Sequence, residues 1–264
     1  MTRWLMGIFV LMMGVPALAH DFWLTVAPPA SSPDGMTITG DLGEYFPVAD
    51  TLITPFGVMG WRVVGASGEV MHSGLFHTQG QSLATTVALP TPGTYVGLME
   101  VRPAFSEMTG AEFTEYLREE GLEDVIAERA ALGRSHVTAR ERYWRYAKII
   151  IPNGQGPAEH VTRAVGTRAE LVPATDPTAL GAGDVLSVRF LVNGVPVPDA
   201  QIAAVSDGTR LVHARTNAQG IAELALPTAG RWLIRNVHMF RPLEPETPVE
   251  WESYWTTLAF TIAR

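Results

Sequence analysis

The chain has 264 residues, with 19 Lys and Arg against 27 Asp and Glu, a formal net charge of −8, and no cysteine. That acidic balance argues against a nucleic-acid partner, which needs clustered positive charge on the protein. Without cysteine neither disulfides nor thiolate metal sites can form, so stability has to come from a packed core, for which the chain is long enough.

Met1–Ala19 has the parts of a secretory signal peptide. A basic start at Thr2-Arg3 precedes an apolar run from Trp4 to Val15, and Ala17-Leu18-Ala19 supplies a small-x-small cleavage site. The run is too short to span a bilayer comfortably, and no later stretch approaches the ~20 apolar residues of a membrane helix. The alternative, a buried N-terminal helix, leaves the cleavage signature without a reason. The expectation is a periplasmic or secreted protein that begins at His20 and is not itself membrane-spanning after cleavage.

Residues 20–105 read as short strands broken by Gly and Pro, with candidates at 61–64, 69–77, 83–89 and 94–101. Residues 106–150 read as a helical insert. Thr109-Gly-Ala-Glu112 is a capping box, Met108 and Phe113 can form its hydrophobic staple, and Gly121 stops the first helix. A second helix runs from Glu123 to Leu132, and a second box at Thr138-Ala-Arg-Glu141 predicts a third helix toward Lys148. The insert is dense in charge, and Arg140, Arg142 and Arg145 offer a docking surface for a partner.

Residues 151–184 form a Gly- and Pro-rich connection with a short strand at 169–172. From Val185 strict alternation returns: Leu186, Val188, Phe190 and Val192 share one face, and turns fall at Asn193-Gly194, Asp207-Gly208 and Gln219-Gly220. Residues 185–264 are therefore expected to be an Ig-like or transthyretin-like sandwich. The fold class is mainly β, two β-sandwich domains with a helical insert between them.

Cleavage after Ala19 would give His20 a free α-amine beside its imidazole Nδ1, and the two can chelate one metal ion as in a histidine brace. The competing interpretation of His20 is a plain polar terminus. No HExxH, no Cys pair and no helical His pair supplies a local zinc signature, and no nucleophile elbow or phosphate loop supports catalysis. Six further histidines remain. His72 and His77 are expected on opposite faces of a strand, His136 and His160 in solvated connections, and His213 facing water. His238 shares a strand face with Trp232, Ile234 and Asn236, and can be a second ligand or a packed histidine at a strand end. Glu250–Trp255 places carboxylates beside aromatics, either as outer support for such a site or as a capped core edge.

The opening His20-Asp21-Phe22-Trp23-Leu24 resembles the HDFWL start of the DUF4198 family, also described as a periplasmic component associated with nickel or cobalt uptake. Collinear with it, Glu112-Phe113-x-x-Tyr116-Leu117, Arg140-Glu141-Arg142-Tyr143, Glu170-Leu171-Val172-Pro173 and Gly230-x-Trp232 resemble later blocks of that family. The resemblance implies a non-enzymatic accessory protein that binds a divalent transition metal (Ni, Co or Cu) through His20 and His238. Asp21, Glu170 and Glu252 would then support the ligands, and a membrane metal-uptake transporter subunit would be the partner. Two alternatives from the residues remain: a copper histidine-brace oxidoreductase, and a structural or adhesive β-sandwich without metal.

Overall fold

A computed structural model of the chain describes residues 20–27, 35–68, 70–71, 75–207, 211–242, 244 and 248–263. The expected leader, Met1–Ala19, lies outside the described residues, as does His72. Among the described residues no helix is long and apolar enough to cross a membrane.

The protein is mainly β. Its centre is a hairpin of two long strands, β7 (Gly93–Met108) and β8 (Ala139–Asn153), with two helices at its tip, α1 (Gly110–Glu119) and α2 (Glu123–Ala131). β8 also pairs in parallel with β16 (Trp251–Ile262), which lies antiparallel to β15 (Gly230–Phe240). On the β15 side the sheet continues through β12 (Gln201–Ser206) to β13 (Leu211–Arg215). On the β7 side it ends in β3 (Val58–Val64) and β4 (Val70–Met71), making eight strands. Strands from 20–105 and from 185–264 therefore share one sheet, joined by the β8–β16 contact.

Side chains alternate across this sheet and build a core on each face. Ala147, Ile149, Ile151, Leu233 and Ala259 meet a four-stranded sheet of β1 (Asp21–Val26), β2 (Met36–Gly43), β6 (Ser82–Val87) and β5 (His77–Gln79). Tyr146, Ile150, Trp232, Ile234 and Leu258 pack on the opposite face. Their partners there are β9 (Ala169–Pro173), β10 (Val185–Val192) and β14 (Ile221–Ala225). The two helices extend the β1-side layer, where Phe113, Tyr116 and Leu117 cover Val237, Trp251 and Trp255.

The first capping box forms as expected: the Thr109 hydroxyl accepts from the Glu112 amide at 3.3 Å, and the Glu112 carboxylate accepts from the Thr109 amide at 2.8 Å. Gly121, at φ +68°, ends that helix in the left-handed region a side chain would disfavour.

The third helix does not form. Thr138–Glu141 instead leads into β8, so helix is confined to the 110–131 part of the expected insert. The reason is pairing. The run from Tyr143 to Ile151 is aromatic and β-branched, and it finds β7 on one edge and β16 on the other. Freed from a capping role, the Glu141 carboxylate is 1% exposed and accepts from Tyr116 Oη at 3.1 Å, Ser106 Oγ at 3.2 Å and Ser253 Oγ. No cation pairs with it among the described residues.

Burial raises the Glu141 carboxyl above its ordinary pKa, against the pull of those hydroxyls. Across the window between its unfolded and raised folded values the native state holds a proton that the unfolded chain has released. Stability from this residue is therefore lost as pH rises through that window. Glu141→Gln removes the titration, so denaturant melts of the variant should depend less on pH there than those of the native protein. An unchanged pH slope would contradict this role.

Candidate functional site

His20 sits immediately before β1, and the hold on that strand fixes where it lies. Phe22, Trp23 and Leu24 are all buried, the Trp23 ring meets Phe46 edge-on at 5.5 Å, and the Phe22 carbonyl accepts from Thr257 Oγ1 at 2.7 Å. Asp21 pairs in register with Gly43 at the end of β2. A Cβ on Gly43 would fall 2.3 Å from the Val48 carbonyl oxygen, so only glycine lets the following loop pass this close. That loop folds back through the Asp50 and Thr51 amides, each donating to the Leu42 carbonyl at 3.1 Å.

The fold-back carries Asp50 to His20. Asp50 Oδ1 is 3.5 Å from His20 Nε2, with the two side chains 40% and 36% exposed. Asp50 is held in place by the Glu44 amide, which donates to Oδ2 at 3.0 Å, and by the Thr51 hydroxyl, which donates to Oδ1 at 2.8 Å. The Glu44 amide first, then Thr51 and His20, keep its carboxyl below the ordinary range despite partial burial, so it is an anion at neutral pH. Arg145 Nη2 donates to the His20 carbonyl at 3.3 Å, and its guanidinium lies over the rings of Tyr143 and Trp255. A carboxylate on the Nε2 side of an imidazole leaves the other nitrogen, Nδ1, as the one nearer the main chain.

His238 is not brought to this place. It lies on the Trp232–Ile234 face of β15, packed against Phe190 at 5.9 Å and Phe240 at 6.0 Å, and burial holds its ring neutral by lowering its pKa. Arg235, three positions earlier and so on the opposite face, is the residue that reaches the β1 side, at 2.7 Å from Asp21. His20 and His238 therefore lie on opposite faces of the central sheet and do not share an ion.

The three carboxylates expected to support a metal site are committed elsewhere. Asp21 and Glu120 clasp Arg235, at 2.7 and 2.5 Å. Glu170 binds Lys148 at 2.5 Å in a pair that is almost wholly buried, and Glu252 pairs with Arg142. Among the described residues no group of three or more His, Cys, Asp or Glu is placed to hold a metal ion.

Arg140, Arg142 and Arg145 are likewise used internally, by Glu107, Glu252 and the Tyr143–Trp255 rings respectively, and do not form a free docking surface. Of the other histidines, His77, His136 and His213 are exposed, whereas His160 is buried rather than solvated. Asp50 was missed because its partnership with His20 depends on the loop after Gly43, and nothing local in the sequence marks it.

Stacked sheets with a helical pair at one end, and a half-exposed histidine at the rim of the first strand, define a layered β-sandwich protein. The family model described as a domain of unknown function, DUF4198, matches residues 17–239, and the chain belongs to that family. No curated protein matches the chain. Among solved structures, the D0–D1 domain of intimin is 14% identical, with 91% of this chain and 97% of that chain covered at a TM-score of 0.21. The Bacillus anthracis TIE protein is 10% identical, with 91% and 58% covered at a TM-score of 0.20.

Proposed function

We propose that this is an exported accessory protein that carries a divalent transition metal, nickel or cobalt, on the amino terminus created by cleavage after Ala19. The ion is cargo for uptake or delivery. The observation that carries this is the placement of His20: half-exposed at the start of an anchored strand, with the Asp50 carboxylate 3.5 Å from Nε2. The α-amine and Nδ1 of the processed chain would hold the metal, and both must lose their protons to do so.

Amine and imidazole nitrogens suit nickel, cobalt and copper rather than the hard, oxygen-preferring cations. An accessible site with few protein donors favours an ion that is handed on over one that is kept. Export itself is supported by the leader pattern in Met1–Ala19. A membrane metal-uptake transporter subunit as the receiver rests on the family resemblance alone.

Calorimetry with Ni²⁺, Co²⁺ and Cu²⁺ on protein processed to His20 tests the proposal, which expects a saturable heat at one ion per chain. Oxygen-dependent turnover of a reductant by the copper form would favour the copper oxidoreductase instead. No heat with any of the three would leave a structural or adhesive sandwich.

A further inference from the structure

A second site lies on the other side of the central sheet. A cavity of about 360 Å³ opens between the turn that follows β3, residues 65–68, and the segment His160–Val165. Two guanidiniums, Arg62 and Arg163, line it. Arg62 is fixed by donating from Nη2 to the Val165 carbonyl at 2.7 Å, its one side-chain hydrogen bond among the described residues. The cavity wall is built rather than incidental: the Glu170 carboxylate accepts from the Val165 and Gly166 amides at 2.8 and 3.0 Å and is itself bound to Lys148.

Two features set this cavity apart. Among the described residues, neither Arg62 nor Arg163 forms an ion pair with a carboxylate. The larger cavity past the end of α2 is also lined by arginines, but there Arg134 and Arg241 are neutralised by Glu250 and Glu128, and Arg140 by Glu107. The second feature is His160, which lines the smaller cavity at 7% exposure with neither ring nitrogen in a hydrogen bond. The Thr94 backbone comes near the ring and favours its protonated form, without hydrogen-bond geometry. A buried imidazole with neither nitrogen in a hydrogen bond of good geometry is rare in a native protein.

We propose that this cavity binds a small organic anion through a carboxylate or phosphate group, with Arg62 and Arg163 neutralising its charge and the His160 ring lying beside it as a reporter. Guanidinium forks match the geometry of either oxyanion, and charge-assisted bonds are the strong ones in such a site. The site is independent of His20, being formed by different residues on a different part of the fold.

The test is an NMR titration of full-length processed protein carrying ¹⁵N-labelled histidine. Inorganic phosphate is added in one arm and citrate in another, with chloride at matched ionic strength as the control. A saturable shift of the His160 ring resonances with phosphate or citrate, absent with chloride, is expected. The arm that saturates tells a phosphate-bearing from a carboxylate-bearing ligand. Arg163→Glu, an exposed position, should weaken the response by about tenfold or more, and Arg62→Gln should weaken it as well. No saturable shift in either arm, or an undiminished response in Arg163→Glu, would overturn the proposal.

Discussion

Acetylation of the His20 α-amine is expected to weaken nickel, cobalt and copper binding severely while leaving the fold intact. The acetyl group turns the α-amine into an amide, which does not ligate until it is deprotonated, and so removes one of the two donors the chain brings to the ion. Nothing in the core moves, because β1 is held by Phe22, Trp23 and Leu24, all buried beyond the point of modification. Asp50→Asn tests the same site from its other side. It keeps the size of Asp50 but removes the anion beside Nε2, leaving one acceptor oxygen for the Glu44 amide and the Thr51 hydroxyl, and outer-sphere partners of this kind are worth about 10–100-fold in metal affinity. His238→Phe should leave binding unchanged, since that ring faces Phe190 across the sheet. Equal heats for the native and acetylated proteins would remove the terminal site.

Arg235→Met is expected to cost about 3–5 kcal/mol of stability, the range found when one member of a buried ion pair is removed. Arg235 is the bolt between three elements: it leaves β15, meets Asp21 at the start of β1 and reaches Glu120 at the end of α1. Its side chain is 14% exposed, and those of Asp21 and Glu120 are 15% and 7% exposed. Solvent therefore does little to screen the group. Methionine fills the space and leaves two carboxylates facing each other without a cation. For a chain of this size the loss corresponds to a fall in melting temperature of about 10 °C.

Acid should return part of that loss. Burial already raises the Glu120 carboxyl, with Arg235 opposing the shift, so without Arg235 its folded pKa rises further. Below that value the carboxyl is protonated and the repulsion is gone, so the penalty grows as pH increases. Adding Glu120→Gln to Arg235→Met should recover stability at neutral pH. A melt of Arg235→Met that matches the native protein would show the cluster to be an onlooker.

Much of the fold was legible because its signals are local. Alternation through Leu186, Val188 and Phe190 marks β10, and the Thr109–Glu112 box with Gly121 marks the first helix, since each depends on neighbours within a few residues. What escaped depends on distance along the chain. Thr138–Glu141 carries a helix-start pattern, but the strand partners that overrule it, at β7 and β16, lie tens to more than a hundred residues away. The same is true of the candidate site. Trp232, Ile234 and His238 do share a face, as their spacing requires, but that face looks away from β1 because the first sheet covers the other side. Asp50 reaches His20 only through a fold-back that a glycine at 43 permits. His160 sits in a polar stretch and is buried by elements from other parts of the chain.

The most direct test of the account is to locate the metal itself, by anomalous scattering from crystals of nickel-loaded protein processed to His20. The prediction is one ion per chain, bound by the α-amine and Nδ1 of His20, with Asp50 remaining against Nε2. An ion ligated elsewhere on the molecule, or a His20 ring with no metal on it in saturated crystals, would contradict it.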